Sequence, residues 1–494
     1  MNIGLHDAMV EVSADACVGS CSIGVTVNEV QRSWAALPVG SRLKVLREAR
    51  LRMAERGVEF AEAISPRLAR SKADTLVTEL LPLLDACRFL ERNAERLLEP
   101  RKLGRGGRPL WLSGVWAEVH RVPVGHVLVI APANFPLFLA GVQVLQALAA
   151  GNSVTWKPGA DGRAVAMLVA HSLHDAGLPD GLLGVTEESV EAGQEAMSWG
   201  PDKVVFTGSQ AVGEAVLTKL AETATPAVVE MSGADAVVVM PSADLQMVAK
   251  AVTFGLRLNG GAVCMSPRRL FALPETMELL KPLVVRALAD VSPVKLEART
   301  AEMLRRMVGD AVEEGASLVG SVDVDAQRPL LIDNASSEME IARSDVFAPV
   351  ISLIAVPTML HLFAAYARCE YALTAAIFCG KGDFEKARML ARSLKAGTVL
   401  INDVIAPTAD PRVPFGGRGA SGYGVTRGAE GLLEMTAVKT LLVRKSGRAR
   451  HFDATSDVDV PMFEGMILAS HGRGWRARLD GWMQLVKGSR KARK

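Results

Sequence analysis

The sequence predicts an α/β protein built on two parallel sheets. Short, continuously apolar strands alternate with helical segments, and the alternation occurs twice, before and after about residue 235. Size agrees: 494 residues are more than one simple hydrophobic core organises, so several substructures are expected.

In chain order, residues 1–25 form an N-terminal segment expected to lack order. With no basic start or apolar run, it does not read as a signal peptide. Helical spacing follows to about Leu98, through Val27, Val30 and Trp34, then Leu43 and Leu46, then Leu80, Leu84, Cys87 and Leu90. WLSGVWAEVHRV (111–122) alternates like strand around a bend at Gly114. Strands HVLVIAP, SVTWKP, LLGVTEE, KVVFTG and AVVEMSG then alternate with helices. The apolar run Phe135–Gly151 is shorter than the roughly 20 residues of a membrane span and carries Gln143 and Gln146, so a buried helix is expected. A second α/β pattern runs from about Asp235 to Val425, with strands RRLFAL, PVISLIAV, LTAAIFCG and GTVLIND. The two patterns read as two domains with a cleft between them. Right-handed crossovers place functional loops at the carboxyl ends of the strands.

Composition excludes several classes. Hydrophobic residues make up 49% and charged residues 22%, a packed globular chain. A net charge of +2 carries no nucleic-acid signature. Six cysteines in so long a chain are no disulfide scaffold and suit a reducing, cytoplasmic setting. Cys17 and Cys21 lack a second pair to complete a tetrahedral site, so no metal is expected.

Four features could carry chemistry, each with a plainer alternative. Cys264 follows Gly260 and Gly261, which allow close approach of backbone to a ligand; it is a nucleophile or a small buried hydrophobe. Glu230 ends an apolar strand, where desolvation would raise its pKa toward that of a general base; it could equally face solvent. Asn134 could donate to a developing oxyanion or serve as a turn residue. FTGSQAVG (206–213) joins a strand to a helix start, a phosphate cradle or a common Gly-x4-Gly turn.

In order and spacing these features resemble the aldehyde dehydrogenase superfamily. The chain carries IAPANFP, AAGNSVTWKPG (149–159), FTGSQAVG, VEMSGAD, NGGAVC, VFAPV (346–350) and PFGGRGASGYG (414–424). Glu230 and Cys264 lie 34 residues apart, matching the family's interval from base to nucleophile, and the resemblance spans about residues 26 to 445. It implies a Rossmann-like domain for NAD or NADP (26–107 and 126–232), a catalytic domain (233–435) and oligomerisation strands (108–125 and 436–446) of a homodimer or homotetramer. It also implies that Cys264 attacks an aldehyde substrate, Asn134 holds the oxyanion and Glu230 activates water. Pro132, Lys157, Gly159, Gly208, Ser209, Gly213, Asp345 and Phe347 fall at cofactor-binding positions. Glu230 favours hydrolysis over transfer to coenzyme A; that acylating chemistry, or a catalytically silent scaffold, is the alternative.

The chain departs from the family at several points. Asp345 stands where a glutamate is usual, one methylene shorter, so its reach to the ribose would be lost or water-bridged. Ala160 replaces a glutamate common in NAD-preferring members, which leaves NADP open. Ala133, Ala262 and Ser232 alter the surroundings of the oxyanion donor and the nucleophile.

Residues 447–494 extend beyond the family pattern. From Gly472 to Lys494 eight Lys/Arg face one acid, Asp480. Trp475, Leu479, Trp482 and Val486 make an apolar stripe on this basic helix, as for a peripheral helix on the cytoplasmic face of a membrane receiving a long apolar aldehyde, or for a helix packed on its own protein.

Overall fold

The computed structural model describes residues 23–64, 66–68, 70–445 and 450–491; Cys17 and Cys21 lie outside them. The first helix, Ile23–Ala36, begins inside the segment expected to lack order.

The first sheet has six strands in the order Gly422–Tyr423, Ala227–Met231, Lys203–Gly208, His126–Ile130, Ser153–Lys157 and Leu183–Val185. All pairs are parallel except the first, in which a strand from far along the chain sets Gly422 antiparallel to Glu230. Helices Val39–Glu55, Leu81–Leu98, Phe138–Ala150 and Arg163–Asp175 share its largest core, with Leu46, Leu83, Val144, Trp156 and Val169 fully or almost fully buried. The strands are buried along almost their whole length because both faces are covered.

The apolar run 135–151 is the buried helix Phe138–Ala150, closed by Gly151 in a left-handed cap (φ 100°). Its start is held by Glu79, whose carboxylate accepts from Leu137 N and Phe138 N at 2.9 Å each and is ion-paired with Arg70. A fully buried anion at a helix N-terminus satisfies backbone donors that no residue within the helix could reach. It also anchors the chain just after Asn134.

The second sheet has seven strands in the order Ser317–Val319, Leu330–Asp333, Val350–Ala355, Pro267–Ala272, Asp235–Val239, Thr374–Phe378 and Thr398–Ile401. Only the edge strand Ser317–Val319 is antiparallel. Both sheets belong to one compact unit, comprising the described residues up to Leu98 and Val122–Ala437.

A second unit gathers Glu99–Arg121 and Val438–Lys494. It contains most of a three-stranded sheet of Arg101–Leu103, Val115–Pro123 and Thr436–Arg444, the last with Val438, Leu441 and Leu442 exposed. Helices Val460–His471 and Gly474–Lys491 pack as a hairpin. Their contact is backbone-close: a Cβ on Gly465 would lie 2.3 Å from Leu485 N, and one on Gly481 would lie 2.2 Å from Ala469 N. Trp475, Leu479, Trp482 and Val486 are exposed. The helix packs on its own chain, against Val460–His471, and the stripe that the sequence suggested remains exposed. No helix among the described residues is long and apolar enough to cross a membrane.

Candidate active site

Cys264 sits on a tightly wound loop between helix Leu245–Arg257 and strand Pro267–Ala272. Asn259, Gly260 and Gly261 all take left-handed backbone angles, φ 51°, 60° and 76°. A side chain at Gly261 would meet Ala348 O at 2.7 Å. Buried Arg268 clamps this coil, donating to Gly261 O at 2.6 Å and Ala348 O at 2.5 Å. Asn134 Nδ2 donates to Ala262 O at 3.0 Å, and Asn259 Nδ2 donates to the same oxygen at 3.1 Å. Asn134 is thus tied to the loop that carries Cys264, with a second amide hydrogen to spare.

Glu230 is 3% exposed, near the end of strand Ala227–Met231, which lies beside the edge strand Gly422–Tyr423. Burial raises its carboxyl pKa, opposed by Arg427 and by the Thr426 hydroxyl, which donates to Oε2 at 3.5 Å; Oε1 has no partner. Burial also pushes the Cys264 thiol well above its ordinary value, as do the nearby carboxylates of Glu230, Asp235 and Asp345, while Arg427 acts against them. A thiol so placed needs a base or a countercharge before it becomes a nucleophile.

Two cavities meet at this pair. The first, about 330 Å³, is lined by Pro132, Asn134, Gly208, Ser209, Glu230, Cys264 and Phe347, together with Ala133, Ala160, Asp161 and Ala262. Gly208 and Ser209 lie at the start of helix Gln210–Ala221, and the Ser209 side chain does not cap it. The first-turn N–H groups therefore have no intrahelical acceptor, and the helix end presents positive charge where a pyrophosphate could bind. The second cavity, about 140 Å³, has largely apolar walls that include Val77, Phe135, Phe138, Phe254, Leu258, Met265 and Ile405. Glu230 and Cys264 line it too, beside Arg427.

Other predicted cofactor positions stand behind the wall of the first cavity. Lys157 Nζ donates to Glu188 O at 2.7 Å. Gly159 packs so closely that a Cβ would lie 2.4 Å from the Pro132 carbonyl carbon, and Gly213 backs onto Met231. Asp345 faces inward to Arg268, at 3.7 Å, and to Ser232 rather than lining the cavity; burial raises its pKa to about 6.

Sequence reasoning missed Glu188, Asn259, Arg268 and Arg427. The carboxylate of Glu188 accepts from Asp161 N and Arg163 N at 2.7 Å each, shaping the turn after Lys157. Asn259 carried a signal, since an Asn before two glycines tolerates left-handed angles. The two arginines carried none, because charged residues are read as exposed until packing shows otherwise.

The aldehyde dehydrogenase family model matches residues 26–441. A 4,4'-diapolycopene aldehyde oxidase from a Methylomonas species is 28% identical over 424 residues, 84% of this chain and 79% of that protein. The NADP complex of NADP-dependent glyceraldehyde-3-phosphate dehydrogenase from Bacillus halodurans superposes with TM-score 0.77 at 26% identity, covering 86% of this chain and 90% of that one. In fold, the NAD+ complex of a Mycobacterium tuberculosis aldehyde dehydrogenase superposes with TM-score 0.78 at 24% identity, over 86% and 91% of the two chains. The chain belongs to the aldehyde dehydrogenase family of NAD(P)-dependent oxidoreductases.

Proposed function

We propose that this protein oxidises an apolar aldehyde to its carboxylic acid through a thioester on Cys264. The supporting observation is that Cys264 and Glu230 line both cavities, one with a helix N-terminus in its wall and one with apolar sides. The aldehyde occupies the apolar side, and the Cys264 thiolate adds to its carbonyl carbon. Asn134 Nδ2 and the Cys264 backbone N–H hold the resulting oxyanion. NAD or NADP, when bound, supplies the hydride acceptor that turns this adduct into a thioester. Glu230 then takes a proton from water, whose oxygen attacks the thioester and releases acid and thiol. Gly208 and Ser209 would hold the cofactor's pyrophosphate, and Phe347 would face the nicotinamide. Lys157 would reach the adenosine ribose after leaving Glu188 O. Asp345 would meet the other ribose after turning from Arg268. Gly159 and Gly213 would let strand, turn and helix close beneath the cofactor.

The test is turnover of an aldehyde series with each cofactor. Burying each added methylene contributes about 0.8 kcal/mol, so kcat/KM is expected to rise at least tenfold from acetaldehyde to hexanal. No turnover of any aldehyde, and none in reverse from an acyl-CoA, would sink the reading.

We also propose that the protein forms a homodimer or homotetramer through the exposed strand Thr436–Arg444, and that helix Gly474–Lys491 rests on the cytoplasmic face of a membrane. Exposed Trp475 and Trp482, beside Arg473, Arg476 and Lys487, support the membrane contact through the chemistry of an interfacial helix. The full chain is expected to co-sediment with vesicles containing anionic phosphatidylglycerol, and Trp475→Ser/Trp482→Ser to remain in the supernatant. Equal sedimentation of both proteins would remove the proposal.

A further inference from the structure

Arg427 is a buried cation at the candidate active site that the chemistry above does not use. It precedes helix Gly428–Glu434 with backbone angles φ 62° and ψ 172°, a region that L residues rarely enter. Holding a non-glycine residue there costs on the order of 1–3 kcal/mol, and such strain concentrates at functional sites. The side chain is 4% exposed. Its Nη1 donates to Thr408 O at 2.6 Å, and the guanidinium stacks 4.2 Å from the Phe415 ring centroid and 5.4 Å from that of Phe138. Nε and Nη2 are buried without a hydrogen-bond partner, as is Glu230 Oε1. Neither of these nitrogens reaches a carboxylate oxygen, although Arg427 shares the apolar cavity with Glu230 and Cys264.

An uncompensated guanidinium in an apolar enclosure is costly, and arginine cannot shed its proton to escape the cost. The same enclosure holds two groups that must become negative: the Glu230 carboxylate and the Cys264 thiolate. We propose that Arg427 is a positioning residue, the fixed countercharge that lets Glu230 and Cys264 carry negative charge beside an apolar cavity. The proposal rests on the reading of Cys264 as nucleophile and Glu230 as base. It accounts for the strained backbone, since that conformation directs the guanidinium into the enclosure. The surrounding charges make the need plain. Glu230, Asp235 and Asp345 all disfavour the thiolate, Arg427 favours it, and Arg268 is occupied by Asp345 and backbone carbonyls. Arg269 is turned to Ala234 O and Tyr366 O.

The test needs no aldehyde turnover, so its failure is separable from failure of the proposed reaction. Alkylation of Cys264 by iodoacetamide, followed site by site by mass spectrometry across pH, reports thiolate formation directly. Arg427→Gln, which keeps a donor for Thr408 O, is expected to raise the midpoint by one unit or more and slow alkylation at neutral pH about tenfold. Arg427→Lys, which keeps the charge, is expected to stay within about half a unit of the native midpoint. Thermal unfolding establishes that each variant is folded; if the Gln variant is not, the Lys variant decides alone. Equal midpoints in the native and Gln proteins would overturn the proposal, as would a Lys variant shifted by a full unit.

Discussion

Replacing Cys264 with alanine is expected to abolish aldehyde oxidation, lowering kcat by about 10³-fold or more for every substrate that the native protein turns over. Among the described residues the covalent route has no second thiol in reach. Among the described residues the other cysteines, Cys87, Cys369 and Cys379, are buried elsewhere, and neither cavity includes them. Removing a covalent nucleophile forfeits the whole two-step path, because the residues around it act as a unit. Cys264 is partly exposed on a loop held by Arg268, Asn134 and Asn259, so loss of one sulfur leaves that frame intact. Cofactor affinity and the unfolding temperature are therefore expected to stay close to native values. Reduced nicotinamide formation measures the first quantity, and titration and calorimetry the others. A variant that retains a tenth of native kcat would show that Cys264 is not the nucleophile.

Glu230→Gln is expected to separate the two halves of the reaction. Thioester formation persists, giving a burst of reduced cofactor close to one equivalent per site. Steady-state turnover then falls by about 10²- to 10⁴-fold, the usual contribution of a positioned base. The native carboxyl has its pKa raised by burial, with Arg427 and Thr426 opposing, so native deacylation is expected to fail as pH drops through that raised value. The amide variant has no such ionisation, and its residual rate should lose that acid limb. Rapid-quench mass spectrometry should find the acyl group on Cys264. An added thiol, coenzyme A included, should speed its release if the site admits one. An undiminished steady state with no trapped acyl group would remove Glu230 from the reaction.

Much of this architecture was legible in the chain. The strands HVLVIAP, SVTWKP, KVVFTG and AVVEMSG read as a parallel sheet because continuous apolar runs suit strands covered on both faces, and they pair in parallel at His126–Ile130, Ser153–Lys157, Lys203–Gly208 and Ala227–Met231. The run from Phe135 read as a buried helix on length and its two glutamines. The meeting of Cys264, Glu230 and Asn134 at one site could be expected from motif order and spacing, and the three line one cavity. Asp345 was placed by the same reasoning near the ribose, whereas its side chain is directed to Arg268 and Ser232. Spacing locates a backbone position, but side-chain direction depends on neighbours from remote segments.

Sequence by itself determined the α/β class, the family and the identity of the candidate nucleophile and base, because periodicity and motif spacing are local properties. Tertiary structure alone decided which charges share an enclosure. Glu79 reaches helix Phe138–Ala150 across 58 residues, and Arg427 faces a strand end that precedes it by nearly two hundred. No window along the chain contains both members of either pair. Burial, which makes each interaction strong, arises only when the core closes around them.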